Sequence, residues 1–359
     1  MKYDCQKLTE ALGQAVPLIS QFDQDGSLIS NISAKKKVVA DIELIISPIM
    51  DSLNPYARYA KTAEILAPNM GEIVSITLPD FEDGNNFFVF CDRSHVCLGD
   101  VGGEIISDFS VEFPLNQIAI DSTSRQMLFA TCEGTINLSD RVNNGFRDTL
   151  RFKNPYGKVA LAMPEDPKRQ TFLAGTDKGE LGYFYSNGAP CRLVGNIGIP
   201  IHWISFLPDD KFVVASQNRI KIHDIGEMGM FVNRPIVTEV SYKYEDKITA
   251  LTTNTQNMVV AGEKGIRLYD TMDLHREPEI ILLKNPVIAL CIDEKSKFIC
   301  TGDRNGEINI YDLESRKAKK TFRNDGVAIT NIAWDERSES IIAGDSGGRI
   351  KIYRKNDSE

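Results

Sequence analysis

The sequence lacks any run of 18 apolar residues free of charge, so no membrane-spanning helix is expected. Its start, MKYDCQKLTE, has no apolar stretch behind the charges, so no secretory leader is expected either. Cysteine is sparse and odd in number: Cys5, Cys91, Cys97, Cys132, Cys191, Cys291 and Cys300. That count argues against a disulfide framework and for free thiols in a reducing compartment, the cytoplasm or else the nucleus. A basic excess is missing too. Lys and Arg number 41 against 50 Asp and Glu, a net charge of −9. This excludes the coating of phosphate backbones as the main task, and nucleic acid as the main ligand.

Residues that announce chemistry are equally scarce. None of the glycine-rich turns is a phosphate loop leading into a helix, and no local motif announces a Ser–His–Asp triad. The histidines are four: His95, His202, His223 and His275. Cys91, His95 and Cys97 form a C-x3-H-x-C spacing that could begin a zinc site, but it lacks a fourth ligand. No cofactor or metal is expected. FRND (Phe322–Asp325) is similar to half of a paired-arginine phosphoinositide motif. It lacks the second arginine, and Asp325 would repel a phosphate.

What the sequence does have is repetition. The stretch Phe298–Phe322, FICTGDRNGEINIYDLESRKAKKTF, reads as short strands cut apart by turns, and its pattern recurs along the chain. The residues closing the third strand of each copy are Asp100, Asp140, Tyr185, Asp224, Asp270, Asp312 and Arg354, at steps of 40, 45, 39, 46, 42 and 42 residues. Seven units with a period near 42 mark radial repetition. Apolar residues alternate within each strand, as Ile308 and Ile310 or Ile350 and Ile352 do, so each strand has two distinct faces. Gly134, Gly179, Gly265, Gly306 and Gly348 stand in the second turn of their copies, where a tight hairpin needs positive φ.

The segments Phe206–Ser216 (FLPDDKFVVAS), Ala261–Asp270 (AGEKGIRLYD) and Cys300–Leu313 (CTGDRNGEINIYDL) resemble the WD40 repeat family. Tyr269-Asp270, Tyr311-Asp312 and His223-Asp224 stand where that family has Trp-Asp. The family's Gly-His pair is absent, so its Asp–His–Ser–Trp hydrogen-bond network cannot be assigned. The likeness covers roughly residues 70 to 354. It implies an all-β, seven-bladed WD40-like β-propeller over residues 61–359.

The last copy ends on its third strand, so the ring needs a fourth from elsewhere. Lys61–Ala67 (KTAEILA) occupies the relative place of KAKKTF (Lys317–Phe322) and is expected to supply it. The alternative is the tail of a helix starting at Asn54-Pro55. Residues 1–60 show no repeat and are expected to form a helical N-terminal extension. Leu8, Leu12, Ala15, Val16 and Ile19 make one stripe, and Val38, Ile42, Ile45, Ile46 and Ile49 a second. Such helices would cover blade edges or pair with another chain.

Two tryptophans stand out. Trp203 takes a first-strand position held elsewhere by Ser75, Gln117, Ala250, Ala289 or Asn331, so it either fills the channel or meets a partner. Trp334 aligns with Phe206 and is expected in the core, while His223 is expected to be structural. The resemblance also implies a partner-binding face made by the loops before the first strand and between the second and third. Those loops hold Tyr156, Lys247, Arg93, Arg304, Glu133, Asp177, Lys178, Glu263 and Lys264. Their mixed charge suits proteins or peptides, with Tyr156, Trp203, Lys247, Arg304 and Arg93 as candidate partner-binding residues.

The expected function is a non-catalytic protein–protein interaction scaffold, a subunit of a larger intracellular assembly. The alternatives are a reader of short modified peptides, with Trp203 or Tyr156 in an aromatic cage, and an enzyme or small-ligand binder at the channel mouth.

Overall fold

A computed structural model describes residues 59–67, 69–78, 87–120, 126–142, 145–153, 159–163, 171–185, 192–224 and 238–355. The described residues form seven antiparallel sheets of four strands each. Their innermost strands are Ser75–Thr77, Leu115–Ile120, Val159–Ala162, Trp203–Leu207, Ile248–Thr253, Val287–Ile292 and Ile329–Asp335. They define blades 1 to 7. Each innermost strand lies against that of the next blade, and that of blade 7 lies against that of blade 1. The ring is therefore closed: a seven-bladed β-propeller.

Closure is made by the N-terminal strand. Tyr59–Leu66 pairs outside Arg349–Lys355, which pairs with Ser340–Asp345 and then Ile329–Asp335. Residues 61–66 are thus strand and not the tail of a helix. Thr62 Oγ1 donates to the Ile352 carbonyl across this pair at 3.3 Å. The helical extension expected over residues 1–60 lies outside the described residues, except that Tyr59 and Ala60 belong to the strand. Among the described residues no helix is long and apolar enough to cross a membrane.

The alternation read from the sequence fills both faces of every sheet. In Lys211–Ala215 of blade 4, Phe212 and Val214 join Leu173 and Leu181 of blade 3. The intervening Val213 and Ala215 join Met258 and Val260 of blade 5. A sheet covered on both faces reads as a near-continuous apolar run. Accordingly Thr171–Thr176, Phe298–Asp303 and Ser340–Asp345 are buried at every position. The outer strand Lys317–Arg323 is mostly exposed and carries lysines, which guard an open edge. The outer strand of blade 5 is less protected, since Ile280 and Leu282 are both exposed there.

Trp334 departs from its expected place. It is half-buried at the end of its strand, edge-on to Phe298 at 4.7 Å, with its indole N–H donating to Glu336 at 2.6 Å. An indole keeps its N–H near a polar partner, which draws this ring to the rim of the seam. His223 is buried and stacks on Phe212 at 5.1 Å, in agreement with a structural role.

Candidate interaction site at the channel mouth

The site is built from turns held in place by short polar side chains. The residue at the end of the second strand of most blades, or just after it, accepts backbone N–H groups of the following turn. Asp92 accepts from Ser94 and His95, both at 2.7 Å. Thr131, Thr176 and Ser216 do the same for Thr135, Glu180 and Arg219. Asp303 accepts from Asn305 and Glu307, and Asp345 from Gly347 and Arg349. These are Asx and ST turns, in which a side-chain oxygen replaces a missing backbone partner.

Blade 5 reaches the same end differently. Its equivalent residue is Gly262, and Asp246 from the preceding loop fills the space. A Cβ on Gly262 would lie 2.4 Å from the Asp246 carboxylate. Asp246 binds Arg267 at 2.8 Å and receives the Lys264 N–H. At Gly306 and Gly348 the turn takes φ of +80°, and a Cβ would meet the Val327 or Met70 carbonyl oxygen. Only glycine fits both demands.

The Asp92 carboxyl carries a pH signature. Burial pushes it up, but the N–H groups of Gly71, Ser94 and His95 outweigh burial and hold it below the ordinary value. Asp246 is likewise held low, its burial offset by the Arg267 hydrogen bond and charge. A carboxylate with a depressed folded pKa stabilises above its unfolded pKa, and that contribution disappears as pH falls through the folded value. Replacing Asp92→Asn is therefore expected to lower the thermal midpoint at neutral pH, with the gap to wild type closing on acidification. Melting curves over an acid series check this, and a gap constant with pH would contradict it. Asp293 has the opposite sign: burial raises it, so its contribution is lost as pH rises.

The innermost strands have an open edge facing the axis, and polar side chains of neighbouring blades satisfy it. Asn116 donates to the Val159 carbonyl at 2.8 Å. Gln117 donates to the Leu161 carbonyl at 3.1 Å and accepts the Leu161 N–H at 2.9 Å. Ser75 bonds the Ile118 backbone, Ser205 meets Thr253 at 2.7 Å, and Thr330 donates to the Ile73 carbonyl at 2.7 Å. Asn331 reaches the Val74 carbonyl at 3.5 Å. The strand positions aligned with Trp203 at Ser75, Gln117 and Asn331 thus serve the seams between blades.

Inside this belt runs a channel of about 960 Å³. Its lining includes Trp203, Lys247 and Arg304, three of the candidate residues, from consecutive blades 4, 5 and 6. Lys247 and Arg304 are exposed. Trp203 is half-buried, backed by the apolar seam between blades 4 and 5, with His202 edge-on at 5.7 Å. Asp177, His202 and Gln217 also line the channel. Arg93 is exposed in a turn of blade 1, where its carbonyl accepts the Leu115 N–H at 2.8 Å, and is not among the residues lining the channel. Tyr156 lies outside the described residues.

His202 and Gln217 escaped the sequence reading as members of the mouth. Gln217 occupies the same turn as Arg93 and Arg304, a signal that was present. The C-x3-H-x-C spacing does not make a ligand set. Cys91 pairs with Val96, and Cys97 with Phe90, so the two thiols face opposite sides of the sheet. Cys91 joins the seam of blades 1 and 2, and Cys97 that of blades 7 and 1. Burial pushes the Cys97 thiol up to about 12 and Cys91 further, away from the thiolate a metal needs. Among the described residues no group of three or more His, Cys, Asp or Glu is placed to hold a metal.

A scan against protein-family models and a search of the curated proteins both find no match to this chain.

Proposed function

We propose that the chain is a divergent WD40-type propeller acting as a non-catalytic scaffold, a subunit of a larger cytoplasmic or nuclear assembly. The observation that carries this reading is the convergence of Trp203, Lys247 and Arg304 at one opening of the ring. With Asp177 in the same lining this is an aromatic among charges of both signs, the composition of a protein-binding surface, where Trp and Arg are frequent anchors. At the level of Trp203 on other blades, Gln117, Ser75 and Asn331 are engaged across the seams, as is Ser205 further along its strand. Side chains committed to holding blades together are poorly suited to substrate, which weighs against an enzyme. The edge-on His202–Trp203 pair favours the peptide reader as a second reading.

The test is affinity purification of the tagged chain from its native cells, in parallel with a Lys247→Glu, Arg304→Glu variant. Both positions are exposed, so stability should change by no more than about 0.5 kcal/mol. Proteins that co-purify with wild type and are lost from the variant, at equal melting temperature, support the reading. A wild-type chain that runs alone through size separation overturns it.

A further inference from the structure

We infer that the mouth reads the charge pattern of an extended peptide, an acidic side chain meeting Lys247 and Arg304 and a basic one meeting Asp177. This rests on the scaffold reading and names the chemistry of its partner. The poles are separated by blade. Asp177 stands on blade 3, Lys247 leads into blade 5, and Arg304 stands on blade 6. Blade 4 lies between them and presents Trp203, His202 and the neutral Gln217. The side chains of Asp177, Lys247 and Arg304 have no hydrogen bond or ion pair among the described residues, and all three are exposed. Among the described residues their charges are therefore uncommitted, unlike the buried Asp246 and Asp345, which are consumed by Arg267 and Arg349.

The spacing follows from the architecture. Sheets packed face to face lie about 10 Å apart, so two blade steps set the separation of Asp177 from Lys247 at roughly 20 Å. An extended chain covers that in about six residues at ~3.4 Å each. Its middle crosses Trp203, whose half-buried ring offers an apolar surface to an aliphatic side chain or to the stem of a lysine. A ligand carrying one sign of charge would meet a like charge at one end, and such juxtaposition is a strong source of discrimination between partners. The arrangement selects segments with a basic and an acidic residue within about six positions.

The chain has two tryptophans, so Trp334→Phe leaves Trp203 as the single tryptophan, excited selectively at the red edge where tyrosine does not absorb, while keeping an aromatic ring beside Phe298. The probes are three blocked hexapeptides of alanine and leucine carrying Lys and Glu, Glu and Glu, or Lys and Lys at positions one and six. The expected result is a saturable change in Trp203 emission with the Lys/Glu peptide, weakened by salt, and about tenfold weaker binding of the other two. Asp177→Lys should shift preference to the Glu/Glu peptide, and Lys247→Glu with Arg304→Glu to the Lys/Lys peptide. No response to any probe in wild type, or preferences that ignore the substitutions, overturns the inference. Co-purification separates its failure from that of the scaffold reading. If the charge-reversed chain keeps every partner, the poles are idle and the scaffold stands; if wild type has no partner, both fall.

Discussion

Deleting residues 1–56 is expected to leave a ring that unfolds in one cooperative transition, whereas deleting residues 1–67 is expected to abolish that transition. The second deletion removes Tyr59–Leu66, the outer strand of blade 7. Ile65 of that strand is 2% exposed and packs with Ile350 and Ile352, each fully buried, and with Phe88 and Phe90 of blade 1. Losing it strips the seam at which the two ends of the ring meet and leaves Arg349–Lys355 as a bare edge. A milder form is Ile65→Ala, expected to cost about 2–5 kcal/mol because neighbouring blades cannot collapse into the space. Against a total stability of about 5–15 kcal/mol that is a large share. Urea titration followed by circular dichroism measures both. A sharp, native-like transition in the chain lacking residues 1–67 would show that the ring closes by other means.

Removing the Asp345 carboxylate is the second large effect. Asp345 is 1% exposed and accepts four hydrogen bonds: from the N–H groups of Gly347 and Arg349, from Arg349 Nε at 2.8 Å, and from Asn324 Nδ2 at 3.0 Å. It therefore joins the turn of blade 7 to the loop that leads into that blade. Asp345→Ala leaves a guanidinium and a buried amide without their acceptor, and breaking such a pair typically costs about 3–5 kcal/mol. Asp345→Asn keeps one acceptor and should fall between. Thr131→Ala, which removes a single hydroxyl acceptor in the matching turn of blade 2, should cost only about 1 kcal/mol. The comparison is made in denaturant, where midpoints should move without change in slope. Equal losses at Asp345 and Thr131 would mean that the carboxylate does no more than shape its turn.

The period near 42 residues, the alternation within strands and the missing last strand are all local or additive along the chain. They were enough to place seven blades, to end five of the seven third strands at the residue expected, and to assign residues 61–67 as the closing strand, of which 61–66 are strand. The other two run on, by two residues past Asp140 in blade 2 and by one past Arg354 in blade 7. Only the tertiary structure decided what the side chains do once the blades meet. Gln117 bonds a backbone 44 residues away, and Asn331 one 257 residues away. Asp246 replaces a residue that Gly262 lacks. Cys91 and Cys97 are parted by strand register. Trp203, Lys247 and Arg304, far apart in the chain, share one opening because inner strands of successive blades are neighbours around an axis. The physical reason is the range of the forces involved. A strand's pattern depends on its own faces, whereas a hydrogen bond or a shared mouth depends on the angle between sheets, which is set by packing between blades.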